Sequence, residues 1–248
     1  MIRDDVKNET YWKNYAETSE RIIRKLLETL GGADADPRKK MSLSYSYRRK
    51  VFNLFSSSYS SGCRYTHQSR NLEEVFDAFF LFLGVCREQP DRSRERYFYA
   101  YDERTRDLAL AILFNADRGT VDRLVEAVDF WPGKDAIWEK MIAHLGVTGR
   151  EPVEAIQWPE AYESLWHCFI CPEGDRPAQL KRFVDNWYKE MKKGGKAWVD
   201  SHKSKHDVYC GYWCFEAAGV AKMLGIDDSA LKGHPHYPYD LVHPELEG

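Results

Sequence analysis

Apolar residues recur every third or fourth position through most of the chain, and strand-like alternation is nowhere sustained. Tyr11, Trp12, Tyr15, Ile22, Ile23, Leu26, Leu27 and Leu30 make a stripe with Glu and Lys between them, which predicts a long helix over 8–30 ended by Gly31-Gly32. A loop is expected over 33–40, around Asp34, Asp36 and Pro37. Val51, Leu54 and Phe55 then mark a helix over 45–61, weakened by serines whose hydroxyls compete for backbone groups and closed by Gly62. Asn71 is the expected N-cap of a buried helix, with Glu73 and Glu74 in its first turn and Val75, Phe76, Phe79, Phe80, Leu83 and Val85 behind. Helices follow over 105–115, from a Thr120 cap onward, and over 136–145, 160–171 and 176–193, with Trp131-Pro132-Gly133 interrupting the series.

The last helix is expected over 211–224, where Trp213, Ala217, Val220, Ala221 and Leu224 share a face and Ala217, Ala218 and Gly219 permit close packing. Gly225 stops it, Asp227 and Asp228 serve as turn or cap residues, and Pro235 and Pro238 leave an extended aromatic tail. About nine helices without a β element predict an all-α fold of packed antiparallel helices. A boundary near 126–133 divides it into two helical subdomains, 1–125 and 126–248, with a charged connector at 89–96 as the competing place to cut.

Composition changes this picture little. A chain of 248 residues that is 43% hydrophobic can build a proper core, which excludes disorder. No run approaches the roughly 18 apolar residues of a membrane span, and an amphipathic helix stands where a signal peptide would need an apolar block, so a cytoplasmic location is expected. Six cysteines at unrelated spacings read as reduced thiols.

Charge is more informative in its layout than in its sum of -3. Residues 31–70 hold eight Lys or Arg against two Asp, and 181–205 hold eight against three. Over 135–175 the balance reverses, with eight Asp or Glu against Lys140 and Arg150 alone.

Candidate chemistry is thin. His202, His206, Cys210 and Cys214 fall four apart, a spacing that one continuous helix would turn into a row of zinc ligands, but Gly211 interrupts that helix. Cys168 and Cys171 form a CxxC inside an apolar helix, without the βαβ setting of a redox motif. Glu216 lies within the small-residue helix and reads as a structural acid held by a Tyr or Lys. Trp187, Tyr188, Trp198, Tyr209, Tyr212, Trp213, Tyr237 and Tyr239, interleaved with Lys189, Lys192, Lys193, Lys196, Lys203 and Lys205, could suggest stacking on nucleic acid, yet rings at these spacings fill cores more often. No P-loop, nucleophile elbow or HExxH is present, and the chain is expected not to be an enzyme and to hold no metal or cofactor.

Tyr209, Gly211-Tyr212-Trp213, Phe215-Glu216-Ala217-Ala218, Ile226-Asp227-Asp228 and Tyr237-Pro238-Tyr239-Asp240, with Trp187-Tyr188, Trp198 and Asp200-Ser201-His202-Lys203 upstream, resemble the C-terminal signature of the PoNi family, immunity proteins against PoNe-type DNase toxins of contact-dependent secretion systems. The signature proper spans 206–241. Arg3-Asp4, the long first helix and Tyr59-Ser60-Ser61-Gly62 resemble the family's N-terminal half. The resemblance implies a binding protein that neutralises a cognate toxin and needs no catalytic group, with Trp187, Trp198, His202, Tyr209, Gly211, Tyr212, Trp213, Glu216, Tyr237 and Asp240 holding the fold.

A toxin surface that grips DNA is basic, so the contact is expected from carboxylates: Glu139, Glu151, Glu154, Glu160 and Glu163, then Glu173 and Asp175, with Asp227, Asp228, Asp240, Glu245 and Glu247 as second choice. The partner is the toxin itself, without direct nucleic-acid or membrane contact, and homodimerisation is left open. The competing reading is a helical nucleic-acid-associated or zinc-dependent hydrolytic protein.

Overall fold

A computed structural model describes residues 2–32, 36–89 and 100–244. Among the described residues there are ten α-helices, three 3-10 turns and no strand, so the fold is all-α as expected. The chain divides into two compact units, one formed by Met1–Phe98 and Asp200–Gly211, the other by Tyr99–Val199 and Tyr212–Gly248. A cut at 125/126 would instead pass through the helix Arg118–Phe130, whereas these units part at 98/99 and 200–211 return to the first.

The first unit contains α1 (Glu9–Gly31), α2 (Pro37–Ser60) and α3 (Tyr65–Arg87), with α2 packed against both others. Asn8 caps α1 by accepting from the Tyr11 amide at 2.9 Å. α2 begins earlier than expected, because Pro37 is accommodated at the first helical position, where no amide donor is needed. Residues 37–40 are thus helical and Asp36 is the non-helical residue ahead of them, while 33–35 of that expected loop and 90–96 of the connector lie outside the described residues. The serines do not break α2: Ser57 Oγ donates to the Leu54 carbonyl and Ser60 Oγ to that of Ser56. Asn71 caps nothing. α3 starts six residues earlier, and the Asn71 amide donates across to Ser58 of α2, as does Gln68.

The chain's first residues close the end of α2. The amides of Arg3 and Asp4 both donate to the Ser60 carbonyl, and the Arg3 guanidinium reaches the Cys63 carbonyl at 2.6 Å. The returning segment joins here, with Tyr209 Oη donating to Asp4 at 2.6 Å and Tyr11 Oη donating to the Tyr209 carbonyl at 2.8 Å.

The second unit holds α4 (Tyr101–Leu113), α5 (Arg118–Phe130), α6 (Ala136–His144), α7 (Pro159–Ile170), α8 (Arg176–Lys193), α9 (Phe215–Leu224) and α10 (Tyr239–Val242). Asp117, not Thr120, caps α5: its carboxylate accepts from the Thr120 amide and hydroxyl. Every residue of α4 from Arg104 to Leu113 except Arg106 is buried, which makes it a central helix. α9 packs against it so closely that a Cβ on Gly219 would stand 2.6 Å from that of Ala109. α9 starts at Phe215 rather than at 211, because Gly211 takes φ +98 and the Cys214 amide is engaged by the His236 carbonyl. Gly225 ends it in the left-handed region, φ +61, as expected. Beyond Pro238 the tail is not wholly extended; α10 adds one turn, with the proline just ahead of it where it does no harm.

Candidate functional site

The signature residues of the second unit form a buried polar and aromatic knot. Glu216, 3% exposed, accepts from Tyr162 Oη at 3.1 Å and from the Trp187 indole at 3.0 Å. Trp198 stacks on Trp187 at 5.2 Å, Tyr212 packs against Trp198 and Tyr188, and His236 stacks on Tyr188. The rings therefore face one another instead of forming a platform for bases. Of the interleaved lysines, Lys193 pairs with Glu190, Lys196 with Asp102 and Lys203 with Asp200. In the first unit Tyr209 is buried against Trp12, with the His202 ring 6.1 Å away, and Gly211 supplies the positive φ that turns the segment. Trp213 and Tyr237 are buried, and Asp240 is half-buried in the first turn of α10.

The row of His202, His206, Cys210 and Cys214 is not built. His202 lies in a 3-10 turn, His206 and Cys210 in irregular chain, and Cys214 just ahead of α9 in the other unit. Among the described residues no group of three or more His, Cys, Asp or Glu is arranged to hold a metal ion. The thiol of Cys168 is buried and pushed up to about 12 by that burial.

The acidic set sorts itself by what each carboxylate touches. Asp135 is fully buried, capping α6 through the Ile137 and Trp138 amides and accepting from the Gln157 amide at 2.7 Å. Glu139 is clamped by Arg150 at 2.6 Å, and the same guanidinium holds Asp129 at 2.7 Å. Asp228, 3% exposed, accepts from Tyr237 Oη at 2.6 Å and lies 2.7 Å from His243 Nε2. Glu139 and Asp228 therefore leave the expected contact set: one is neutralised by its clamp, the other is an interior anchor for the tail. Glu245 and Glu247 lie outside the described residues.

Glu151, Glu154, Glu160, Glu163, Glu173 and Asp175 remain, all exposed and none in an ion pair among the described residues. No Lys or Arg falls between 151 and 175. α7 carries two of them outward because its buried face is taken by Ala161, Tyr162, Leu165 and Cys168. The 3-10 turn Glu173–Asp175 then bends the chain into α8. There a groove of about 260 Å³ is lined by Glu173, Arg176, Pro177, Leu224, Ile226 and Asp227, so an acid of the strip and one of the tail share a site. Asp227 is exposed and accepts from the Ser229 amide at 3.1 Å. Sequence periodicity did not single out the apolar residues on the outer side of α7, Trp166 and Ile170, although they fall off the stripe of 161, 162, 165 and 168.

No helix among the described residues is long and apolar enough to cross a membrane. No curated protein shows significant sequence similarity to the chain. The crystal structure of protein PA2201 from Pseudomonas aeruginosa matches it with a TM-score of 0.73 at 18% identity, covering 98% of this chain and 90% of that one, which shows a shared fold. Residues 133–241 match the family described as PoNe immunity proteins (PoNi), C-terminal. The matched segment contains the Glu216 knot, the Asp228 anchor and all six open carboxylates, so it is this part of the chain that is similar to the C-terminal part of the PoNi immunity proteins.

Proposed function

We propose that this chain binds and neutralises a cognate antibacterial toxin, a DNase delivered by a contact-dependent secretion system, by covering its basic active-site surface with the acidic side of the second unit. The observation that carries this reading is the run of six exposed, unclamped carboxylates without an intervening Lys or Arg, inside the segment that matches the PoNi family. A surface that neutralises phosphates must be rich in Lys and Arg. Opposed carboxylates raise the rate of encounter and reject partners of the wrong charge. Asp227, beside Glu173 in the groove, extends the contact. The signature residues keep the fold and do not touch the toxin; variation outside them lets related proteins tell their toxins apart. The first unit serves as the family's N-terminal helical part. The protein acts in the cytoplasm, where the toxin would reach DNA, and needs no cofactor.

The test is a DNase assay of the toxin's nuclease domain encoded beside this chain, alone and with the full chain added. Cleavage should be abolished at equimolar protein. Glu160→Lys with Glu163→Lys should slow association by about tenfold and flatten its dependence on salt. Undiminished cleavage in the presence of excess wild-type chain overturns the reading.

A further inference from the structure

Exposed carboxylates explain attraction better than grip, because charges left in water add little binding free energy. Tight protein contacts anchor instead on a few apolar or aromatic side chains at the centre of the patch. α7 supplies such a group between its acids. On the side away from its buried face, Glu163, Trp166, His167 and Ile170 follow at i, i+3, i+4 and i+7, so they lie along one ridge. Ile170 leaves 57% of its surface in solvent, more than any other large apolar residue among those described. Trp166 is half-buried and stacks on Phe169 with centroids 5.9 Å apart, which steadies its ring beside the ridge. Glu160 precedes the ridge, while Glu173 and Asp175 follow it.

We infer that the Glu163, Trp166 and Ile170 ridge of α7 is the anchor of a helix-in-groove contact with a protein surface whose Lys and Arg rim encloses an apolar pocket. This rests on the toxin-binding reading above and narrows it to three side chains. Ile170 enters the pocket, Trp166 covers its edge, and Glu163 meets the cationic rim. Charge selects this occupant. A second copy of the chain meeting this face about a two-fold axis would set the same carboxylates against each other, and an anionic lipid or nucleic-acid surface is repelled.

The experiment measures binding of the full chain to the nuclease domain encoded beside it. Ile170→Asp should raise Kd by at least about 30-fold, mainly through faster dissociation, and Ile170→Ala by about tenfold. Val208→Asp, at an exposed apolar site of the first unit, should stay within about twofold of wild type. Circular dichroism and melting temperature establish that each variant is folded. A wild-type chain that does not bind overturns the toxin-binding reading itself. A wild-type chain that binds, with a folded Ile170→Asp equal to Val208→Asp, overturns the ridge alone. A wild-type dimer in sedimentation that Ile170→Asp dissociates also overturns it.

Discussion

The indole N–H of Trp187 donates to the Glu216 carboxylate across 3.0 Å in the interior of the second unit. Burial pushes that carboxyl from 4.5 up to about 7, against the opposing pull of its own backbone amide and of the Trp187 and Tyr162 donors. Between those two values the folded chain holds a proton that the unfolded chain has released. Stability from this group is therefore fully present below about pH 4.5, falls as pH rises to about 7, and is level above that. The loss is about 3 kcal/mol. Denaturant unfolding of wild type and Glu216→Gln across this window should show the difference between them shrinking or reversing by that amount, since Gln does not titrate. Parallel curves would mean that Glu216 is ionised at all these pH values.

Removing the acceptor altogether is a different experiment. Glu216→Ala leaves the Tyr162 hydroxyl and the Trp187 indole buried without their partner and opens a void, at a cost of about 3–5 kcal/mol. The melting temperature should fall well below that of Glu216→Gln, which keeps an acceptor in place.

Gly219 is held by contact and not by backbone freedom. Gly219→Ala drives a methyl into Ala109 and should cost about 2 kcal/mol by thermal or denaturant unfolding. Ala109→Gly in the same chain should recover part of that loss, because it removes the atom at 2.6 Å.

Asp228 ties the tail to the second unit through Tyr237 and His243. Tyr237→Phe should cost about 1–3 kcal/mol. Amide exchange should quicken in Tyr239–Val242 before it does elsewhere.

Glu139 and Glu163 make a matched pair of opposite expectation. Glu139→Gln weakens the Arg150 clamp and should lower stability by about 1 kcal/mol, while leaving toxin association unchanged. Glu163→Gln should do the reverse, with stability within about 0.5 kcal/mol of wild type and slower association.

Much of the fold was legible because apolar spacing reports burial directly. α1 and α8 lie almost where the stripe and the flanking Gly and Pro place them. Caps were harder, since they depend on which amide a side chain can reach: Asn71 looks like a cap but is drawn across to Ser58, and Thr120 sits three residues inside the helix that Asp117 starts. Glu216 was readable as a bonded acid from its small, apolar neighbours, though nothing in the sequence named Trp187 as one of its partners. Charge in a strip was readable, but the difference between a clamped Glu139, a buried Asp228 and an open Glu163 is set by contacts between residues distant in sequence. Ile170 escaped notice because a periodic pattern marks which apolar residues go inside better than which one stays out.

The segment Asp200–Gly211 completes the first unit only after Tyr99–Val199 of the second has been made. On the ribosome, Asp4 and Tyr11 emerge early, and Tyr209 arrives some two hundred residues later to bond them. The first unit therefore cannot be completed until most of the second has been translated. Nor can the two units be separated by a single cut: exchange of the N-terminal unit between related chains must carry 1–98 and 200–211 together, or Asp4 is left buried without the hydroxyl that satisfies it.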